Sequence, residues 1–394
     1  MTSPEPVRTS SAFNAMRNAM QNLPVQNIAE IAEKGFGRSD IIPLWFGEGD
    51  LPTPAFIGDA ASAALKAGHT FYTDQNGIPE LREALSAYLT RLFAKPVGTN
   101  RITVTPGGMA AILIALEMII DEGDNIIGID PVWPNTRGAV QILGGTYKSL
   151  RMDRQDGQWR LDFDKLAEAV DGKTKAIFFA SPGNPTGWVM DSDEQAALLE
   201  FCRARGLWIL ADEVYSRFHY GRNAAPSMLD HAEPEDRVFV INSFSKSWCM
   251  TGWRMGWLTH PPSAEHTAAM LIQYNTSGVA TFLQHGGVTA INDGEDFVAE
   301  IRARTERGRD IVVDGLRNLP RIRDLHPPEG AMYAYFRVDG MTDSRQTCED
   351  VFERTGIGLA PGFAFGDNDF LRLCFCNDPE KLAMAVERLR PEFM

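Results

Sequence analysis

The chain has 394 residues, of which 44% are hydrophobic and 10% aromatic, enough to bury a large core and to divide into two domains. Its formal net charge of -14 opposes a phosphate backbone, whose binding needs clustered Lys and Arg, so nucleic acid is not expected as a partner. The longest apolar run, AAILIALEMII from Ala110 to Ile120, contains Glu117 and falls short of the roughly 20 residues that span a bilayer, which makes it a buried helix rather than a membrane segment.

The chain opens with MTSPEPVRTSSAF, which lacks the apolar core of a secretory signal and carries Glu5 early, so a cytoplasmic location is expected. Apolar residues around Phe13, Met16 and Met20 suit a lid over a site, or plain helix packing. Through the middle, short apolar runs alternate with helical patterns: NIIGID near 125, KAIFFA near 175, LWILAD near 207, RVFVIN near 237 and MGWLTH near 255. Continuous apolar strands of this kind predict a mostly parallel sheet covered on both faces. A polar helical stretch follows from Asp296 to Asn318. Strand-like AMYAYFRV, GIGLAP and LRLCFC and a last helix from Pro379 to Leu389 predict a smaller α+β domain. The expected division is 48–295 for the large domain, with 1–47 and 296–394 forming the small one.

The five cysteines predict no disulfide framework: their number is odd, and Cys374 and Cys376 lie two apart in an apolar strand. No Cys/His cluster has zinc spacing, so no metal is expected.

In parallel α/β sheets, ligands sit beyond the carboxyl ends of the strands. Four such ends carry chemistry here. RITVTPGG opens a helix, and Gly107 and Gly108 let the backbone approach an anion at its amide donors, although the pair also suits an ordinary tight turn. KAIFFA runs into SPGNPTG, a rigid turn that aims Asn184 outward. LWILAD ends in Asp212, a carboxylate that needs a cation or donor in low dielectric, or that caps a following helix, EVYSRF. RVFVIN runs into SFSK, where Lys246 sits among small and apolar residues with Arg254 eight positions later.

These segments resemble the motifs of the class I and II aminotransferases, the fold-type I enzymes that use pyridoxal 5′-phosphate, and are most similar to their bacterial subgroup of broad amino-acid specificity. LWFGEGDLPTP, FYTDQNGIPELREAL, TVTPGGMAAI, DPVWP, SPGNPTG, ADEVYSRF, SFSKSWCMTGWR, PGFAFG and LRLCF follow the family's order along nearly the whole chain. The resemblance implies a ping-pong transfer of an amino group between an L-amino acid and a 2-oxo acid. It makes Lys246 the Schiff-base lysine and proton shuttle, and it sets Asp212 against the pyridinium nitrogen. Asn184 and Tyr215 go to the phenolic oxygen. Arg254, Ser243, Ser245 and the amides of Gly108 and Met109 go to the phosphate, and Trp133 to the ring face. Arg372, with the Gly47 amide, is implied for the substrate carboxylate, where Trp133 and Asn184 also contribute. Tyr72 matches the tyrosine that reaches a second subunit's phosphate, which implies a homodimer. Gly49 departs from the family's usual proline, and Trp133 stands where tyrosine is common. No second arginine is assigned to a distal carboxylate; Arg137 is the one candidate.

Two rivals share the fold. A C–S β-lyase of the cystathionine β-lyase-like branch has a similar early Trp and Asp, but TGWRMGW and FYTDQNG favour the aminotransferase. A pyridoxal-phosphate-sensing transcription regulator would need a DNA-binding domain ahead of a first motif that already begins at Leu44, and the acidic balance opposes it.

Overall fold

The computed structural model describes residues 11–23, 27–93, 95–155 and 157–394. The first ten residues and the side chain of Phe13 lie outside what is described.

Seven strands form the central sheet: β1 (Ile102–Thr105), β2 (Asn125–Asp130), β3 (Thr146–Arg151), β4 (Thr174–Ala180), β5 (Trp208–Asp212), β6 (Val238–Ser243) and β7 (Gly256–Thr259). They lie in the order β1-β7-β6-β5-β4-β2-β3, parallel except that β7 runs antiparallel to both neighbours. The apolar runs split by alternation. Ile127, Ile129, Ile177, Phe179, Ile209, Val238 and Val240 enter one hydrophobic cluster, and Ile126, Phe178, Leu210, Phe239 and Ile241 enter another on the opposite face. Each fully buried side chain of this size contributes about 1.5–3 kcal/mol, so the run that reads as unbroken hydrophobicity is two cores fed by one strand.

A second sheet, β8 (Ile322–Arg323), β9 (Tyr333–Val338), β10 (Ala360–Pro361) and β11 (Phe370–Cys374), is antiparallel in the order β8-β9-β11-β10. It shares a third core with Ile31, Leu44 and Trp45 from the start of the chain. The helix Glu295–Leu316 links the two parts, with Val298 in the first core and Ile301, Val312 and Leu316 in the third. Residues 42–43 pair in parallel with 357–358, which ties the early segment to the later part of the chain.

The N-terminal segment touches both parts. Arg17 Nη2 donates to the Ile142 carbonyl at 3.0 Å, and Gln141 Nε2 donates to the carbonyls of Ala19 and Asn22. The helix Asn27–Glu33 pairs instead with the helix Ser344–Thr355, through Glu30 with Arg345 at 2.8 Å, while Lys34 just beyond it meets Glu349 at 2.6 Å. Met16 is exposed. The predicted helix at Pro379–Leu389 is present with those bounds, and Ala110–Glu117 lies in the helix Gly108–Glu117. Among the described residues no helix is long and apolar enough to cross a membrane, and all five cysteines are free.

Candidate active site

At the carboxyl edge of the central sheet, five strand ends and the turn entering β7 deliver side chains to one cavity of about 360 Å³. Gly108 and Met109 follow β1, Trp133 follows β2, and Asn184 follows β4. Asp212 ends β5, Ser243 ends β6, and Arg254 lies two residues before β7. Ser245, Lys246, Tyr215, Gly47 and Arg372 also line it, so of the residues singled out for the site in the sequence Tyr72 and the candidate Arg137 stand apart.

Lys246 lies in the one-turn helix Phe244–Ser247, capped by Ser243, whose Oγ accepts from the Ser245 amide at 3.0 Å. Lys246 Nζ donates to the Gly47 carbonyl at 2.5 Å. The Gly47 contact recorded here is thus through its carbonyl, whereas the sequence points to its amide. Burial lowers the Lys246 pKa below the ordinary lysine value, and the Arg372 charge pushes it the same way.

Asp212 is buried and, among the described residues, forms no ion pair; its Oδ1 accepts from the Val214 amide at 3.3 Å. The segment after it is a turn rather than the helix expected over EVYSRF, so Asp212 caps no helix there. Burial pushes its pKa up to about 6, against the opposing pull of the Val214 amide and of Lys246.

Arg372 sits on β11, only 2% exposed. Its Nη1 donates to Asn184 Oδ1 at 2.8 Å and its Nη2 to the Trp45 carbonyl, while its buried Nε has no acceptor. No carboxylate among the described residues pairs with it. A buried guanidinium is costly without an anion, so this arrangement is complete only with one.

The glycine turn also fits an anion. Gly107 has φ +91°, which favours glycine, and a Cβ there would stand 2.6 Å from Arg254 Nη2. Arg254 Nη1 donates to the Thr251 carbonyl at 2.7 Å. Ser243 and Ser245 hydroxyls meet at 2.8 Å beside the amides that open the helix Gly108–Glu117.

Several contributors were missed at the level of sequence. The Tyr333 hydroxyl lies 2.5 Å from that of Tyr215, and its ring lies beneath the Arg372 guanidinium, 4.5 Å from centroid to Cζ. Burial raises the pKa of both phenols. AMYAYFRV announces a strand, but the β9–β11 register sets Tyr335 opposite Arg372 and Tyr333 opposite Cys374, so the Arg372–Tyr333 contact is a diagonal one, while the Tyr335 hydroxyl donates to Asp367 at 2.8 Å. Ile28, Ala29 and Phe46 form further wall. Arg137 does not line the cavity: its Nη2 donates to Asp130 at 3.1 Å and its guanidinium packs on the Tyr147 ring. Tyr72 is 94% exposed beside Phe71, which is 84% exposed.

A doubly covered, mostly parallel sheet with a lysine, an acid and two arginines around one cavity at its carboxyl edge has the architecture of a fold-type I enzyme. The chain belongs to the family described as aminotransferase class I and II, whose family model matches residues 40–389. It is 33% identical over 369 residues to a probable aspartate/prephenate aminotransferase of Aquifex aeolicus, covering 92% of each chain. It is 32% identical over 350 residues to an aspartate aminotransferase of Thermotoga maritima, covering 89% of this chain and 90% of the relative. A crystal structure of the aspartate aminotransferase from Thermotoga maritima superposes with a TM-score of 0.89 at 30% identity, covering 96% of this chain and 99% of the other. The protein is an aminotransferase. The names of these relatives do not favour the lyase alternative, and the family is one of pyridoxal-phosphate enzymes.

Proposed function

We propose that the protein moves an amino group between an L-amino acid and a 2-oxo acid by a ping-pong reaction, with pyridoxal phosphate held at Lys246. The observation that carries this reading is the pair of uncompensated buried charges, Arg372 and Asp212, in the cavity that Lys246 enters. When bound, pyridoxal phosphate supplies an aldehyde that takes up an amino group and a ring that withdraws electrons from the substrate Cα.

The remaining work falls to the chain. Lys246, its pKa lowered by burial, would lose its proton more readily than an ordinary lysine, hold the cofactor, and take and return the proton at the substrate Cα. Asp212 keeps a proton on the ring nitrogen, because a carboxylate without an ion-pair partner in low dielectric gains most from a cation. Arg254, the Ser243 and Ser245 hydroxyls and the amides of Gly108 and Met109 hold the phosphate. Tyr215 and Asn184, which line the cavity, would hold the phenolic oxygen. Asn184 spends its Oδ1 on Arg372, which leaves its amide hydrogens to donate. Trp133 would stack on the ring, and Arg372 with Gly47 would orient the substrate carboxylate.

The exposed Phe71 and Tyr72, with Tyr274 77% exposed, support a homodimer in which Tyr72 serves the partner's phosphate. The composition of the cores supports the division at 48–295 against 1–47 with 296–394. Five free thiols suit a reducing, cytoplasmic setting.

The test is turnover with and without an added 2-oxo acid. The expected result is at most one equivalent of oxo acid per site from the amino donor alone and sustained turnover once the acceptor is present. Sustained release of ammonia without an acceptor would overturn the transfer reaction.

A further inference from the structure

Among the described residues, the wall that faces the amino-acid side chain carries no cation. Resting on the assignments above, an amino acid with its carboxylate at Arg372 and its Cα at Lys246 must lie along residues 45–47, since the Trp45 carbonyl accepts from Arg372 and the Gly47 carbonyl from Lys246. Phe46 is the residue between them, and it is 40% exposed. Ile28 and Ala29, on the helix Asn27–Glu33, line the same cavity, and Ile28 packs against both the large core and the small one.

The positive charges among the described lining residues are Lys246, Arg254 and Arg372, and each already has a role. Arg137 is engaged with Asp130, Arg17 with the Ile142 carbonyl, Lys34 with Glu349 and Arg38 with Asp40, and none of them lines the cavity. The two segments around Tyr72 bring no cation of their own. HTFYTDQNGIPEL (69–81) contains no Lys or Arg, and neither does QYNTSGVATFLQ (273–284), which packs on it through Thr281 to the Phe71 carbonyl and Gln284 to Thr73.

We propose that the preferred amino donor has an uncharged, apolar side chain, in contrast to the dicarboxylic substrates named for the relatives. A side-chain carboxylate brought against Phe46 and Ile28 loses its water and gains no counter-ion, whereas an aliphatic or aromatic group gains apolar contact.

The test uses the loaded enzyme and measures binding before turnover. Calorimetric titration with 4-methylpentanoate and 3-phenylpropanoate should give affinities at least tenfold above those for succinate and glutarate. The kcat/KM values for leucine, methionine and phenylalanine should exceed those for aspartate and glutamate by a similar factor. Ile28→Arg should narrow the gap, and the comparison on the unaltered protein stands if that variant fails to fold. Equal or tighter binding of the dicarboxylates overturns the inference. If the binding preference holds but no donor of either class is turned over, the aminotransfer reading fails and the apolar subsite remains.

Discussion

Replacing Asp212 with asparagine in the cofactor-free protein should make it more stable, in a way that depends on pH. In the folded chain the Asp212 pKa is pushed from 3.8 up to about 6, chiefly by burial. The folded state therefore binds a proton more tightly than the unfolded one, and stability falls as pH rises through that window. At about 1.36 kcal/mol per unit, the charged carboxylate costs about 3 kcal/mol well above pH 6 and nothing below pH 3.8. The introduced amide would carry no charge in either state, and its carbonyl can still accept from the Val214 amide. Glu213 beside it, pushed up to about 8 chiefly by burial, is also raised by the Asp212 charge, so losing that repulsion in the variant acts in the same direction at high pH. Urea unfolding of both cofactor-free proteins, at one protein concentration and at pH 4, 6 and 8, reads the effect as a shift in midpoint at constant m. The expected outcome is a variant favoured by about 3 kcal/mol at pH 8, with the gap closing toward pH 4, and with cofactor affinity and turnover lost in the same variant. A variant equal to or less stable than the parent at pH 8 would refute the claim that this carboxylate is held ready for an incoming cation.

Borohydride reduction of the loaded enzyme followed by peptide mapping should place the adduct on Lys246 and nowhere else, and a different lysine would sink the mechanism. Gly107→Ala puts a Cβ 2.6 Å from Arg254 Nη2 at φ +91°, so pyridoxal phosphate affinity by equilibrium dialysis should fall at least tenfold while circular dichroism stays unchanged. Arg372→Leu should weaken 4-methylpentanoate binding by about 1.5–3 kcal/mol or more, roughly ten- to hundredfold, and an unchanged affinity would move the carboxylate site elsewhere. Sedimentation should show a dimer, and mixing Lys246→Ala with Tyr72→Phe subunits should recover part of the activity each lacks; a monomer at working concentration contradicts the shared site.

The residues at strand ends were legible because the chemistry and the topology coincide there: Asp212 and Ser243 end strands, and Asn184 lies in the turn just after one, at the edge where ligands bind. Their shared cavity follows from the parallel order of the strands alone. Tyr333 was not legible, since Tyr333 and Tyr335 share one strand face and it is Tyr335 that pairs opposite Arg372, while Tyr333 meets the guanidinium diagonally. Ile28 and Ala29 belong to a seven-residue helix whose position is fixed by Glu30 and Lys34 reaching Arg345 and Glu349, ion pairs more than 300 residues apart in sequence. The helix expected after Asp212 failed because EVYSRF is held as a turn: Glu213 accepts from Ser227 and from the Met228 amide, and Tyr215 bonds Tyr333.

The contact of Arg372 with the Trp45 carbonyl joins residues 327 apart, and that of Lys246 with Gly47 joins residues 199 apart. Closing a loop of the first length costs about 3 kcal/mol more chain entropy than closing one of about ten residues, so these contacts form late and break early. β5, which ends in Asp212, and β6, which ends just before Lys246, can pair before the early and late segments meet. A carboxylate that grips Arg372 and reaches Lys246 then works as a reversible staple across the ends of the chain. At roughly a hundred times its dissociation constant it adds about 2.7 kcal/mol to the closed state. Substrate supply therefore also sets how long each molecule survives between excursions toward the open chain.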